Sequence, residues 1–371
     1  MRPASAAEKA RLADVFAELC RIPSPSGQEA ACAERVAAEL RRIGARPEAD
    51  EAGNLLARIA GRGNRTLLLC AHMDTVHPAA PIDPVLVDDG WENANEGILG
   101  ADNKAAVAVM IEVARRCSVE GGPVALELLF TVEEEIGLRG AERFDAGRLE
   151  ASFGYVFDHA TPVGEVVVAS PTLYRLEAEF HGKAAHAGIR PEDGRSAIVA
   201  AAKAIAAMPH GRIDPETTAN VGFVEGGVPS TNVVADRCRL FAEARSVDPD
   251  RIEEVVSSIV DALHDAAADA ECDVDVVCQK QVTGYRQRAS SPGVAAAEAA
   301  LRTCGYEPRR IATGGASDAN ALEAAGVHCV NLANGTEHNH EPGERVSVAA
   351  LEGMLDVALA LLDEAATVTL P

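Results

Sequence analysis

Apolar residues recur at helical spacing over residues 6–20 and 28–43, and Ser26 and Glu29 stand at capping-box spacing just before the second stretch. Two short apolar runs, 54–59 and 65–71, then read as strands. Residues 104–117 follow the turn Gly100-Ala101-Asp102-Asn103 as an Ala/Val-rich helix, and 124–131 reads as a buried strand running into Glu133-Glu134-Glu135. Strands that are apolar throughout and alternate with helices predict an α/β fold, a sheet covered by helices on both faces.

The pattern changes near residue 171. Residues 173–181 alternate like a half-buried strand, and an Ala-rich helix over 194–208 closes at Pro209. Strands over 217–224 and 232–245, a helix over 249–267 opening on Pro249, and a strand over 272–282 complete a βαββαβ order. That order predicts an inserted α+β, ferredoxin-like unit. A helix over 292–304, a turn at Gly314-Gly315-Ala316-Ser317, a short helix to Ala325, a strand over 327–332 and a terminal helix over 348–365 then resume the outer domain. The expected organisation is a catalytic domain built from 1–171 and 285–371, interrupted by a lid or dimerisation domain over 172–284.

Composition narrows the partners. The chain has 371 residues, room for about two domains. Its formal charge of −23 is a poor match to phosphate backbones and anionic lipid, which excludes nucleic acid and membrane as expected partners. The longest apolar stretches, such as 66–71 and 105–111, fall far short of the roughly 20 residues that cross a bilayer. The charged start of the chain is unlike a secretion signal. Nine cysteines without a CxxC pair suit free buried thiols. Together these predict a cytoplasmic protein.

In α/β sheets, chemistry gathers in loops beyond the carboxyl ends of strands. His72 and Asp74 follow the strand Leu-Leu-Leu-Cys-Ala, and an i, i+2 pair in extended chain points both side chains the same way. Asp102 lies at a helix start, where capping is the alternative use of an Asp. Three consecutive carboxylates, Glu133 to Glu135, repel one another unless a cation or solvent separates them. Asp158-His159 closes another apolar run, and His338-Asn339-His340-Glu341 follows the last strand. Imidazoles and carboxylates converging from several strand ends suit a catalytic zinc site.

Read in order, AHMDTV, GADNKAAVA, LLFTVEEEIGLRGA, FDHA, GKAAHAGIRPEDGRSAI, GGVPSTNVVADRCRLFAEARS, GGASDAN and a late His followed by Glu span nearly the whole chain. This series resembles the co-catalytic di-zinc peptidases and deacylases, a family that includes peptidase T, the glutamate-releasing carboxypeptidases, acetylornithine deacetylase and succinyl-diaminopimelate desuccinylase. FTVEEEIG and GGASDAN are most similar to the peptidase T branch.

The resemblance implies that His72, Asp102, Glu135, Asp158 and His340 hold two zinc ions, with cobalt or manganese as alternatives, and that Asp102 bridges them. Asp74 would orient His72, and Glu134 would be the general base. His186, Asn232, Arg245, Gly315 and Ser317 fall on substrate-binding positions, Arg245 suiting a carboxylate through its planar fork. His338 is a rival to His340, which is preferred for its spacing to Glu344 and the terminal helix. The implied function is an aminotripeptidase acting on small peptides. An N-acyl amino-acid deacylase or a carboxypeptidase of the same family is the alternative. A homodimer through the inserted domain is the one protein partner the resemblance brings in.

Overall fold

A computed structural model describes residues 1–368, which divide into two units. The first comprises Met1–Val168, Gln287–Ile311 and the chain from Ala316 onward; the second comprises Ala169–Arg286 and Ala312–Gly315.

The first unit is α/β. Its mixed sheet runs in the order Glu48–Ala49, Leu55–Ile59, Ala125–Thr131, Thr66–His72, Phe153–His159, His328–Ala333, Glu165–Ser170. The four strands in the middle of this order are mutually parallel, so their carboxyl ends open on one side. Alternation sorts their side chains. Leu67, Leu69 and Ala71 join the large core with the helices Ala6–Cys20, Ala30–Arg42, Ala101–Glu120, Pro292–Thr303 and Val348–Thr367. Leu68, Cys70 and His72 take the other face, where Cys70 meets Asp318 of the short helix Asp318–Ala324. Both faces are thus covered, as the unbroken apolar strands predict.

Two local expectations change. The capping box forms at Ser5 and Glu8, not at Ser26 and Glu29. The second helix begins only at Ala30, so Ser26 stands too far upstream to cap it, and residues 24–26 instead run beside Met73–Thr75. There Ser24 Oγ donates to Met73 O, Thr75 N–H to Ser24 O and Ser26 N–H to Thr75 O. The hydrophobic pattern also passes over a small sheet, ordered Thr336–Glu337, Arg345–Ser347, Gly90–Asn93, Pro84–Val87. Its strands have only 2 to 4 residues, too short for a periodic signal.

The second unit carries a five-stranded antiparallel sheet ordered Gly211–Asp214, Thr217–Gly226, Arg237–Ser246, Thr172–His181, Asp273–Val282, with the helices Ala197–Ala207 and Pro249–Asp269. Leu176, Ala178, Phe180, Leu240 and Ala242 alternate inward to meet Ile252, Val255, Ile259 and Leu263 of the longer helix. The four long strands give the ferredoxin-like order, and Gly211–Asp214 is an addition at one edge. The third long strand starts at Arg237 instead of residue 232, leaving Asn232 in a turn. Residues 312–315 belong to this unit because Thr313 N–H donates to Ala169 O at 2.9 Å and Ser170 Oγ to Gly315 O at 2.9 Å. Among the described residues no helix is long and apolar enough to cross a membrane.

Candidate metal centre

His72 ends its strand directly opposite Thr131. Its Nδ1 lies 3.0 Å from the backbone oxygen of Asp74, a contact that favours a proton on Nδ1 and leaves the Nε2 lone pair for a metal ion. Nε2 faces Asp102 Oδ1 at 3.2 Å and Asp158 Oδ1 at 3.7 Å.

Asp102 does not cap its helix. Gly100 is the cap residue, in the left-handed region at φ 76° that glycine enters freely, and the Asp102 backbone is non-helical. Its carboxylate is thereby turned toward His72, His340 Nε2 at 3.3 Å and Asn339 Nδ2 at 2.8 Å. His340 Nε2 also lies 2.9 Å from Glu135 Oε2. The neighbouring His338 lines a separate cavity of about 530 Å³ with Thr161, Val163 and Tyr306.

The loop after Ala125–Thr131 brings in Glu134 and Glu135. Asp74 Oδ1 accepts the Glu134 N–H at 3.0 Å, and Oδ2 accepts the Glu135 N–H at 3.1 Å and the Ser26 hydroxyl at 2.7 Å. Glu29 Oε1 accepts the N–H of Glu133 at 3.0 Å. The helix Arg139–Arg143 closes the loop at Gly140, where a Cβ would stand 2.1 Å from Val132 O. Glu133 and His340 both adopt positive φ, 54° and 69°, conformations that cost a non-glycine residue roughly 1–2 kcal/mol. Such strain persists where surrounding contacts over-determine it, as they do in these loops.

Burial dominates the electrostatics. It pushes Glu134 well above the usual carboxylate range and Asp158 up to about 7, with neighbouring carboxylates adding to both. His72 is pushed down by burial but lifted well above its ordinary value by Asp158, Asp102 and Asp74. His340 is lifted to about 10 by its hydrogen bonds to Asp102 and Glu135. Four acidic side chains around two imidazoles form a cluster short of positive charge. One ligand atom each from His72, Glu134 and Asp158 lie within 4.8 Å of one another, and so do one each from His72, Asp102 and Glu135. This donor set fits divalent metal ions of the zinc type.

The other sequence-derived candidates stand elsewhere. Ser317 is buried in the first unit, where its hydroxyl caps the helix Asp318–Ala324 and accepts from Asn331 Nδ2 at 3.1 Å. His186, Asn232, Arg245 and Gly315 belong to the second unit. There Ala187 N–H donates to Asn232 O at 2.9 Å and His186 bridges to Val233, so these two turns are joined. The Arg245 guanidinium makes a two-pronged pair with Glu243 at 2.9 and 3.1 Å and reaches Gly314 O at 3.2 Å.

Sequence reasoning missed Asn331, whose side chain holds both backbone groups of Asp158, at 2.9 and 3.0 Å. The available signal was an asparagine inside the apolar strand His328–Ala333. It also missed Asn339, whose position in a loop gives no such signal.

Comparison with known proteins bears on the family of the whole chain. The peptidase dimerisation domain model M20_dimer matches residues 170–271, and the M42 glutamyl aminopeptidase model matches residues 79–171. The uncharacterized protein YqjE of Bacillus subtilis is 36% identical over 368 residues, covering 96% of this chain and 98% of YqjE. The crystal structure of aminopeptidase PepT from Bacillus cereus is 36% identical, with a TM-score of 0.89 over 97% of this chain and 99% of that one. A tripeptidase structure from Staphylococcus aureus is 33% identical, with a TM-score of 0.92 over 96% and 98%.

Proposed function

We propose that this chain, which belongs to the peptidase T-like M20 metallopeptidases and is a metal-dependent hydrolase, removes the first residue of small unblocked peptides, tripeptides foremost. The observation that carries the reading is the convergence of His72, Glu134, Glu135 and Asp158, from the ends of three parallel strands, with Asp102 from the start of a helix and His340 from a loop. Two zinc ions, with cobalt or manganese as alternatives, would be held by His72, Asp102, Asp158, Glu135 and His340, with Asp102 shared. When bound they would acidify a water and polarise the amide carbonyl.

The chain's own residues do the rest. Asp74 fixes the backbone of Glu134 and Glu135 and, through its carbonyl, the ring of His72. Glu134 takes the proton of the attacking water and returns it to the leaving amine, and the burial that raises its carboxyl suits a group that must bind and release a proton. His186, Asn232, Arg245 and the Gly315 turn are assigned to the substrate, Arg245 to its carboxylate. A second copy docked through the second unit is the expected protein partner, on the strength of the dimerisation-domain match. Nine free cysteines support a cytoplasmic setting.

The test is product identification by mass spectrometry. Purified metal-loaded protein is mixed with one tripeptide in free, N-acetylated and C-amidated forms. Loss of the first residue only from the forms with a free amine supports the reading. Release of the acetyl group or of the last residue instead makes the enzyme a deacylase or a carboxypeptidase.

A further inference from the structure

The helix Ala101–Glu120 begins with a glycine at its cap position and no side-chain cap of its own. The first amides of a helix need acceptors, and a carboxylate is favoured there by the helix dipole. The acceptor comes from 242 to 245 residues away. Glu344 Oε2 accepts the N–H groups of Leu99 and Gly100, each at 2.8 Å, and Oε1 accepts the N–H of Asp102 at 2.9 Å. Glu344 is 1% exposed, and both its oxygens are committed to this one turn.

Glu344 is also four residues beyond His340. Between them Glu341 N–H donates to His338 O at 3.1 Å and Glu344 N–H to Glu341 O at 3.2 Å, so the loop is wound tightly. From Arg345 the chain enters the strand Arg345–Ser347, pinned against Gly90–Asn93 with Val346 opposite Trp91. One carboxylate therefore links the backbone that aims the Asp102 carboxylate to the loop that delivers His340. Asn339, in the same loop, adds the 2.8 Å bond to Asp102 Oδ2.

We infer that Glu344 is a positioning residue for the metal centre: it locks the Asp102 turn to the His340 loop, so that the two side chains meet before any ion binds. This rests on the reading of Asp102 and His340 as metal ligands. A glutamine keeps the size of Glu344 but turns an NH₂ group toward at least one backbone N–H, so Glu344→Gln breaks the lock without opening a cavity. Outer partners of metal ligands are worth roughly 10–100-fold in metal affinity or activity.

The experiment measures zinc affinity by competition against a chromogenic chelator, beside circular dichroism and kcat and KM. For Glu344→Gln the expectation is an unchanged spectrum and one zinc bound about tenfold or more weakly. The kcat should fall by a similar factor while KM changes little, and Glu344→Asp should recover part of the loss. A Glu344→Gln protein that melts lower but binds zinc as tightly as the natural chain overturns the inference, leaving a helix cap and nothing more. Hydrogen exchange on the natural metal-free chain is the second measurement, informative even if both variants fail to fold. Protected amides at Leu99, Gly100 and Asp102 support the lock, and exchange as fast as in an open loop overturns it. Asp102→Asn separates the two levels. If it binds zinc like the natural chain, the ligand reading itself has failed; if it loses zinc while Glu344→Gln does not, only the lock has failed.

Discussion

Asp74 Oδ1 accepts the backbone N–H of Glu134 at 3.0 Å, while the adjacent carboxylate oxygen takes that of Glu135 at 3.1 Å. Asp74 thus acts on the loop of the base and a ligand as directly as on His72, whose Nδ1 stands 3.5 Å from its carboxylate. An asparagine supplies one acceptor where two are in use. Asp74→Asn should therefore lower kcat or zinc affinity by roughly 10–100-fold. Ser26→Ala, which removes a single donor to Asp74, should cost less. Steady-state kinetics and zinc content of both variants check this order.

Glu134→Gln preserves shape and removes the proton acceptor. Zinc content should hold while kcat falls by about 10²–10⁴-fold. Turnover near the natural rate would place the base elsewhere.

Among the described residues no lysine or arginine pairs with Asp102, Glu134, Glu135 or Asp158, so bound metal should stabilise the fold. With zinc at 100 times its dissociation constant, linkage amounts to about 2.7 kcal/mol. The chelated protein should melt lower and recover on adding zinc. A melting curve indifferent to zinc would contradict a metal centre here.

Glu8 provides a pH test remote from chemistry. Burial alone would push its carboxyl up, but Arg116, Ser5 and Arg2 outweigh that and hold it below the usual carboxylate range. Arg116 Nε donates to it at 2.6 Å, and both residues are buried. A depressed pKa means that this stabilisation is complete above the unfolded value of about 4.3 and is lost as pH falls toward the folded one. Glu8→Gln should cost on the order of 3 kcal/mol at pH 7, since it strands a buried arginine. The gap between natural and variant melting temperatures should narrow by pH 3. A gap independent of pH would show that the ion pair is not its source.

Arg245 is held by Glu243 in a two-pronged pair. A substrate carboxylate must compete for that fork. Arg245→Ala should raise KM for peptides with a free carboxyl terminus and leave their C-amidated forms little changed, while Glu243→Gln should lower the same KM. Equal effects on both forms would mean that Arg245 does not read the carboxylate.

What the sequence by itself determined was carried by short-range periodicity. Unbroken apolar runs identified the parallel strands, and the period of two placed His72 and Asp74 together at a strand end. The clusters at 133–135 and 158–159 were visible because charge at the end of a buried strand is conspicuous. The tertiary structure alone decided which partners these groups meet. Ser26 and Glu29 had the spacing of a cap, yet they serve Asp74 and the loop of Glu133. Asp102 looked like a capping residue, yet its helix is capped by Glu344 from the far end of the chain. His340 reaches Asp102 and Glu135 while His338, two residues away, lines another cavity, because positive φ at both residues and the pinned strand Arg345–Ser347 set the course of that loop. Local pattern records which face of an element is buried. It holds no record of hydrogen bonds closed across more than 200 residues, since those depend on how whole elements pack.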